Sequence, residues 1–332
     1  MSSRSKAVQT TRTVVFALVV MVVLVSIPVM ILIHFHWQAS ATAAMFSAMT
    51  CLIVGVQVGW RASFMYVVPG LTITEGFGAL FPGNAWWAAI LVGLTASVIG
   101  LSASRGLSNP LLMIPIALGF EVAQPPSVNV DIPVPLFIAL VVLGTTVFGS
   151  TVIYLISRFR PAPKDLVKVS PTRARYFALV LGPFVALAAW VVVDLDLGHA
   201  GAWMILTILV IFKPFIQDGV KKAASRTVGT LAGFVVAIAV AQLTSSEWVF
   251  YVVGVTAMIT CLTLVLMGRP YWQYAVALTI AIVMMEGATD LVDTAETRLA
   301  ATLVGAVASL VVMGLLSPIA KRAAHKSGLS HY

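Results

Sequence analysis

The 332 residues include 20 lysines and arginines against 12 acids, a net charge of +8, yet only 10% are charged and 60% are hydrophobic. A soluble domain carries roughly 25% charged residues, so the composition excludes an ordinary soluble chain. The pI near 9.7 would suit nucleic acid, but the basic residues lie in short connections between apolar runs. That placement excludes a basic binding face and, with it, nucleic acid as a partner.

Twelve apolar segments read as bilayer spans, near 13–33, 40–58, 62–81, 84–103, 107–123, 132–157, 176–193, 200–216, 222–242, 247–267, 270–287 and 296–317. A span needs about 20 apolar residues to cross about 30 Å; the shortest, 107–123, also holds Pro110 and Pro115. Residues 1–12 read as a cytoplasmic tail. The run after them is too long for a signal-peptide core and no small-residue cleavage site follows, so it reads as a retained first span. At its outer end His34, Phe35, His36 and Trp37 form an interfacial aromatic belt; a pH-sensing histidine pair is the alternative. Cys51 and Cys261 fall in mid-span without metal-ligand or CxxC spacing, which argues against a disulfide or metal role.

Glu75 is the single carboxylate expected inside a span, in Pro69-Gly70-Leu-Thr72-Ile-Thr74-Glu75-Gly76. Pro69, Gly70 and Gly76 predict a broken helix whose freed backbone groups, with Thr72, face a cavity rather than lipid. An intramembrane acid is a candidate proton relay; otherwise the span ends early and Glu75 belongs to an outer loop. Trp86, Trp87 and Trp272 read as further belt residues. Residues 158–175 carry six basic residues and three prolines and form a short, semi-rigid cytoplasmic linker. Lys213-Pro214, followed by Gln217, Asp218, Lys221 and Lys222, is either a snorkelling anchor cluster or a cytoplasmic funnel for anions. Residues 318–332 form a basic cytoplasmic tail.

With a cytoplasmic N-terminus, nineteen of the twenty lysines and arginines fall on the inner side and only Arg298 does not. Nine of the twelve acids, Glu121 among them, fall outside. The first asymmetry is the positive-inside rule. It makes the chain a polytopic membrane protein with both ends in the cytoplasm.

The second half repeats itself. Leu206-Thr207 recurs as Leu278-Thr279, Asp218 as Asp290, Arg226 as Arg298, Thr230 as Thr302 and Gly233 as Gly305, each 72 residues on. A fixed period that includes Asp, Arg and Thr signals duplication. Each unit holds three spans, an odd number, so consecutive units cross in opposite directions. Arg298 then breaks the charge rule because its motif is inverted. Inverted repeats are a recurrent plan of secondary transporters. Within the motif, Arg226, Thr230 and Gly233 share one helix face, and the small residues permit close helix approach. The sequence places each arginine in the first turn of its span, where the helix dipole opposes a cation. Asp218 and Asp290, a lipid phosphate or a bound anion would compensate. The arginines are thus either structural anchors or anion-binding groups.

No phosphate-binding G-x-x-x-x-G-K loop, H-E-x-x-H or catalytic Ser-His-Asp constellation occurs, so the chain is not read as an enzyme and no cofactor is expected.

The run Trp203-Met-Ile-Leu-Thr207, Pro214 and Arg226-x-x-Gly-Thr230-x-x-Gly233 resembles the fusaric-acid-resistance-like (FUSC) and aromatic acid exporter superfamily. Trp272, Leu278-Thr279, Arg298, Gly305 and Leu-Leu-Ser-Pro318 continue it, over about residues 176–318. The first half is similar only through Gly59-Trp60 and Val-Val-Pro69-Gly-Leu-Thr72. The resemblance implies efflux of aromatic or other carboxylic acids driven by ion gradients, for some members with a periplasmic adaptor protein. It also implies distant kinship to plant malate channels with basic pore residues. Many such exporters carry a large cytoplasmic domain between halves; here the linker has 18 residues.

The expectation is therefore an all-α polytopic integral membrane protein of about 12 transmembrane helices. It has two six-helix halves, 13–157 and 176–317, with inverted three-helix repeats in the second. It exports small organic anions from the cell across the inner membrane, coupled to protons. The alternatives are an anion channel, or a non-transporting subunit of an efflux assembly. Arg226, Thr230, Thr207, Lys213 and Arg298 are the anion-binding candidates and Glu75 the proton-coupling candidate. Membrane lipid, the organic anion and a periplasmic adaptor are the expected partners; a homo-oligomer is compatible with the chain.

Overall fold

The computed structural model describes residues 19, 22–157, 166–244, 246–285 and 291–326. Among them every regular element is helical, and each of the twelve apolar runs carries one helix. These are α1 (Val22–His34), α2 (Ala41–Gln57), α3 (60–78), α4 (Ala85–Leu101), α5 (Pro110–Ala123) and α6 (Val134–Ser157). The second half gives α7 (Pro171–Asp194), α8 (Gly198–Ile211), α9 (Ile216–Leu243), α10 (Glu247–Leu266), α11 (Tyr271–Met285) and α12 (Leu291–Lys326). Six stretches are long and apolar enough to cross a membrane: Ala85–Arg105, Val134–Ser157, Pro171–Asp194, Ile216–Leu243, Trp248–Val265 and Glu296–Leu315. The chain is a multi-pass membrane protein. The whole N-terminal tail, residues 158–165, Ser245, 286–290 with Glu286 and Asp290, and the last six residues lie outside the described residues.

The chain packs as two units, one of residues 27–220 with 305–332 and one of 1–26 with 221–304. In the first, α5 is the central helix. Every residue from Ile114 to Ala123 is buried, because α2, α3, α4, α7 and α8 all pack against it. Phe120 is gripped between Phe46 of α2 and Trp203 of α8, with ring centroids 4.8 Å and 4.9 Å away. Around this axis the helices close up through small residues. A Cβ on Gly93 of α4 would meet that of Ala186 at 2.7 Å, and one on Gly100 would meet the Cα of Ala178 at 2.7 Å. Ala178, Gly182 and Ala186 lie four residues apart on α7, the spacing by which membrane helices bring their backbones together. On the other face of α4, Ile90, Leu94 and Val98 are exposed at helical spacing, as a lipid-facing stripe would be.

Helix starts follow local chemistry. The Asn84 carboxamide oxygen accepts from the Trp87 amide at 3.0 Å, capping α4. Helix α7 starts inside the stretch 158–175 that the sequence marks as linker. Ser170 accepts from the Arg173 amide at 3.3 Å and Pro171 fills the first helical position. The linker's last residues are docked, with the Val169 amide donating to the Ala103 carbonyl at 3.2 Å.

In the second unit, α10 and α11 pack along their length. Ala237, Phe250, Val283 and Met284 form its core, with Phe234 and Ile280 at the edge. Gly229 and Gly233 of α9 lie against α11: a Cβ on Gly229 would meet that of Ala275 at 2.6 Å.

Candidate functional site

Each unit holds, among its described residues, a cluster with buried ionisable side chains in otherwise apolar surroundings. The cation cluster sits where α9 crosses α11. Arg226 is only 3% exposed. Its Nη1 donates to the Tyr271 hydroxyl at 2.9 Å. Four residues earlier, Lys222 holds its ammonium 3.7 Å from the centroid of the Tyr271 ring and 3.5 Å from the Tyr274 hydroxyl. The two tyrosine rings meet edge to face at 4.7 Å. Thr230 and Gly233 continue the buried face of Arg226, as the i, i+4, i+7 spacing predicts.

Arg298, 2% exposed, is the largest fully buried side chain described and lies within electrostatic reach of Cys261 on α10. Thr302, one turn on, is fully buried. The helix starts correct one sequence argument. Arg226 lies ten residues after Ile216 and Arg298 seven after Leu291, roughly 15 Å and 10 Å along the axis. Dipole effects fade within the first turn, so the dipole does not set the energy of either arginine. Asp218 is exposed in the first turn of α9, two turns short of Arg226, and Asp290 lies outside the described residues.

The repeated glycines and threonines meet in a reciprocal pattern. A Cβ on Gly233 would lie 2.7 Å from both the Thr279 Cβ and the Val276 carbonyl, and one on Gly305 would lie 3.0 Å from the Thr207 Cβ and the Met204 carbonyl. Thr207 is fully buried and donates to the Trp203 carbonyl of its own helix at 2.7 Å. Lys213, past the end of α8, donates from Nζ to the Asn109 carboxamide oxygen at 2.7 Å.

The carboxyl cluster lies between α3 and α5. The chain is helical without interruption from 60 to 78, and a π-helical turn, Ser63–Val67, precedes Pro69. Glycines of this helix allow close approach. A Cβ on Gly70 would meet Ile114 Cδ1 at 3.0 Å, and one on Gly76 would meet the Ala139 Cβ at 3.0 Å. Glu75 is 1% exposed, which rules out the outer-loop reading. The carboxyl of Glu121 faces it from α5, within electrostatic range. Glu121 is 7% exposed. The sequence puts it on the outer side, at the end of the shortest run; it is buried because α5 is ringed by other helices. Apart from each other, the Glu75 and Glu121 carboxyls leave one oxygen of Glu75 and both of Glu121 without a hydrogen-bond partner, and the Thr72 hydroxyl is likewise without one. Among the described residues no group of three or more His, Cys, Asp or Glu side chains could hold a metal ion.

Sequence reasoning missed Glu121, Tyr271 and Tyr274 as members of these clusters, and grouped Lys222 with Lys213 rather than with Arg226. Tyr271 and Tyr274 stand three apart at a helix start, a spacing that puts both rings on one face.

Residues 187–312 match the family model described as fusaric acid resistance protein-like. No curated protein and no solved structure matches the chain. The chain therefore carries, from the end of α7 to most of α12, a segment similar to the fusaric acid resistance protein-like family, with Arg226, Tyr271 and Arg298 inside it.

Proposed function

We propose that this protein is a secondary-active efflux transporter that exports small organic anions, aromatic carboxylates among them, in exchange for protons. The observation that carries this reading is the burial of Arg226 on Tyr271 with Lys222 over the same ring. A cation at the bilayer centre costs about 2.5–3.5 kcal/mol on insertion scales. Cations and tyrosines on one helix pair offer charge for a carboxylate and ring faces for its aromatic body. The matched family, whose name refers to resistance to an aromatic carboxylic acid, supports efflux. The chain is read as having neither enzymatic activity nor a cofactor.

We read α7–α9 and α10–α12 as inverted three-helix repeats. The glycine contacts support this, because shifting one side of the Gly233–Thr279 contact by +72 and the other by −72 gives Gly305–Thr207. The same exchange converts Val276 to Met204. Such reciprocity is what a two-fold relation between duplicated units would leave. Twelve spans with both ends and 158–175 in the cytoplasm, in the inner membrane, fit the distribution of basic residues. Lipid and the exported anion are the proposed partners, with a periplasmic adaptor and a second copy of the chain to be tested. A channel would use the same cations and need no titratable group; the burial of Glu75 favours the coupled reading.

The test is a panel of aromatic and aliphatic carboxylic acids, fusaric acid included, applied to a strain lacking the protein and complemented with wild type or Arg226→Lys. Wild type should raise tolerance to at least one acid and the variant should lose that gain at equal expression. Equal tolerance with and without the protein across the panel would overturn the reading.

A further inference from the structure

We propose that Glu75 and Glu121 act as one two-carboxyl site that holds a single proton between them. Both side chains are more than nine-tenths buried, and they face each other from neighbouring helices. Three of their four oxygens have no other hydrogen-bond partner. Gly78, one turn after Glu75, keeps the approach close: a Cβ there would meet Glu121 Oε2 at 2.8 Å.

A carboxylate with no donor is costly in such surroundings, and two side by side repel as well. One proton resolves both problems. The protonated carboxyl supplies the O–H donor that the other carboxylate lacks, and the pair carries one negative charge instead of two. Release breaks that O–H bond, passes the proton to water and leaves two carboxylates.

The groups on the surrounding helices do not substitute for the proton. Helix α3 itself brings Arg61 and Tyr66 near its start, and α2 and α6 bring Cys51 and Tyr154. Helix α4 brings no ionisable side chain. Helix α7 brings Arg173, Arg175 and Tyr176 at one end and Asp194 at the other, and α8 brings His199. The charged group acting on Glu121 is Glu75, in surroundings from which both are shielded from water. His199 is hydrogen-bonded through Nδ1 to Gln124, which stands three residues after Glu121.

The site gives the proposed exporter its coupling group, so its purpose rests on that reading, but its existence is tested without transport. The full-length protein in liposomes, with no organic anion present, would be titrated while its carboxyl infrared bands are followed. Wild type should show two steps separated by more than about one pH unit, as for interacting acids. Glu75→Gln and Glu121→Gln should each show a single step between those two, and the double variant neither step. Should Glu121→Gln lose its fold, Glu121→Asp keeps the charge but draws it back, and the separation must narrow. Two steps that the variants remove one at a time, with the other unmoved, would overturn the proposal; so would the absence of titration. A band that shifts when sodium replaces choline at constant pH would overturn it in favour of a cation site. A transport failure alongside the paired titration would sink the exporter reading and leave the proton site standing.

Discussion

Arg226 and Tyr271 concentrate the chemistry of the cation cluster in one hydrogen bond of 2.9 Å. A hydrogen bond to a charged group contributes about 1.5–3 kcal/mol. Tyr271→Phe keeps the ring under Lys222 and removes that bond. If the cluster binds substrate, the variant should fold normally and bind it about 10-fold more weakly or worse, measured as the half-saturating concentration for transport. Unchanged half-saturation would remove Tyr271 from the site. Lysine in place of Arg226 keeps the charge and loses the planar fork that grips a carboxylate through two bonds. Arg226→Lys should therefore lower transport at normal expression. Arg298→Lys should lower thermal stability instead, because Asp290, Asp293 and Glu296, close by in sequence, would repel an anion from it; equal thermal stability in both would contradict the division of roles. The buried face Arg226–Thr230–Gly233 was legible from spacing alone. Glu121 was not, since a hydropathy reading sees a run's length and not whether other helices enclose its end. The tyrosine partners were hidden because an aromatic at a helix start reads as an interfacial anchor until its neighbour across the gap is known.

At the scale of helices, glycines set how close the backbones come. Gly233 and Gly305 tolerate no side chain, each with a backbone carbonyl of the facing helix within 3.0 Å of where a Cβ would stand. Gly233→Leu and Gly305→Leu should both fail to yield monodisperse protein by size-exclusion chromatography. Gly144→Leu, with nothing within 4 Å of a Cβ, should behave as wild type. A well-folded Gly233→Leu would contradict the close packing of α9 on α11. All twelve helices were legible as apolar runs, and their register was good to a few residues for most. The starts of α7, α9 and α12 were not. Ser170 and Pro171 begin α7 inside a stretch that composition marks as linker. Helices α9 and α12 extend through polar residues before the apolar run starts, so the first apolar residue is a poor marker of the first turn.

At the scale of the whole molecule, the proposed topology orders two connections on opposite sides of the membrane. Cysteines at Asp165 and Val292, in a background with Cys51 and Cys261 replaced by alanine, should react with an impermeant thiol reagent from opposite faces. Reaction from the same face would break the twelve-span arrangement. The all-helical, multi-pass character was legible because lipid imposes it: backbone polar groups must be satisfied within the helix, so apolar length maps onto structure. How the helices assemble was not, since hydropathy does not tell α5, enclosed by five helices, from α4, which has a lipid-facing stripe. The central claim is that buried cations carry an organic anion while a buried carboxyl exchanges a proton for it. It is tested most directly by purified protein in liposomes loaded with an aromatic carboxylate from the tolerance panel and given an imposed pH gradient. Wild type should drive the anion against its concentration gradient and stop when the pH gradient is collapsed. Glu75→Gln should bind the anion yet lose the response to pH. Anion flux in wild type that follows only the anion's own gradient, indifferent to pH, would contradict the account.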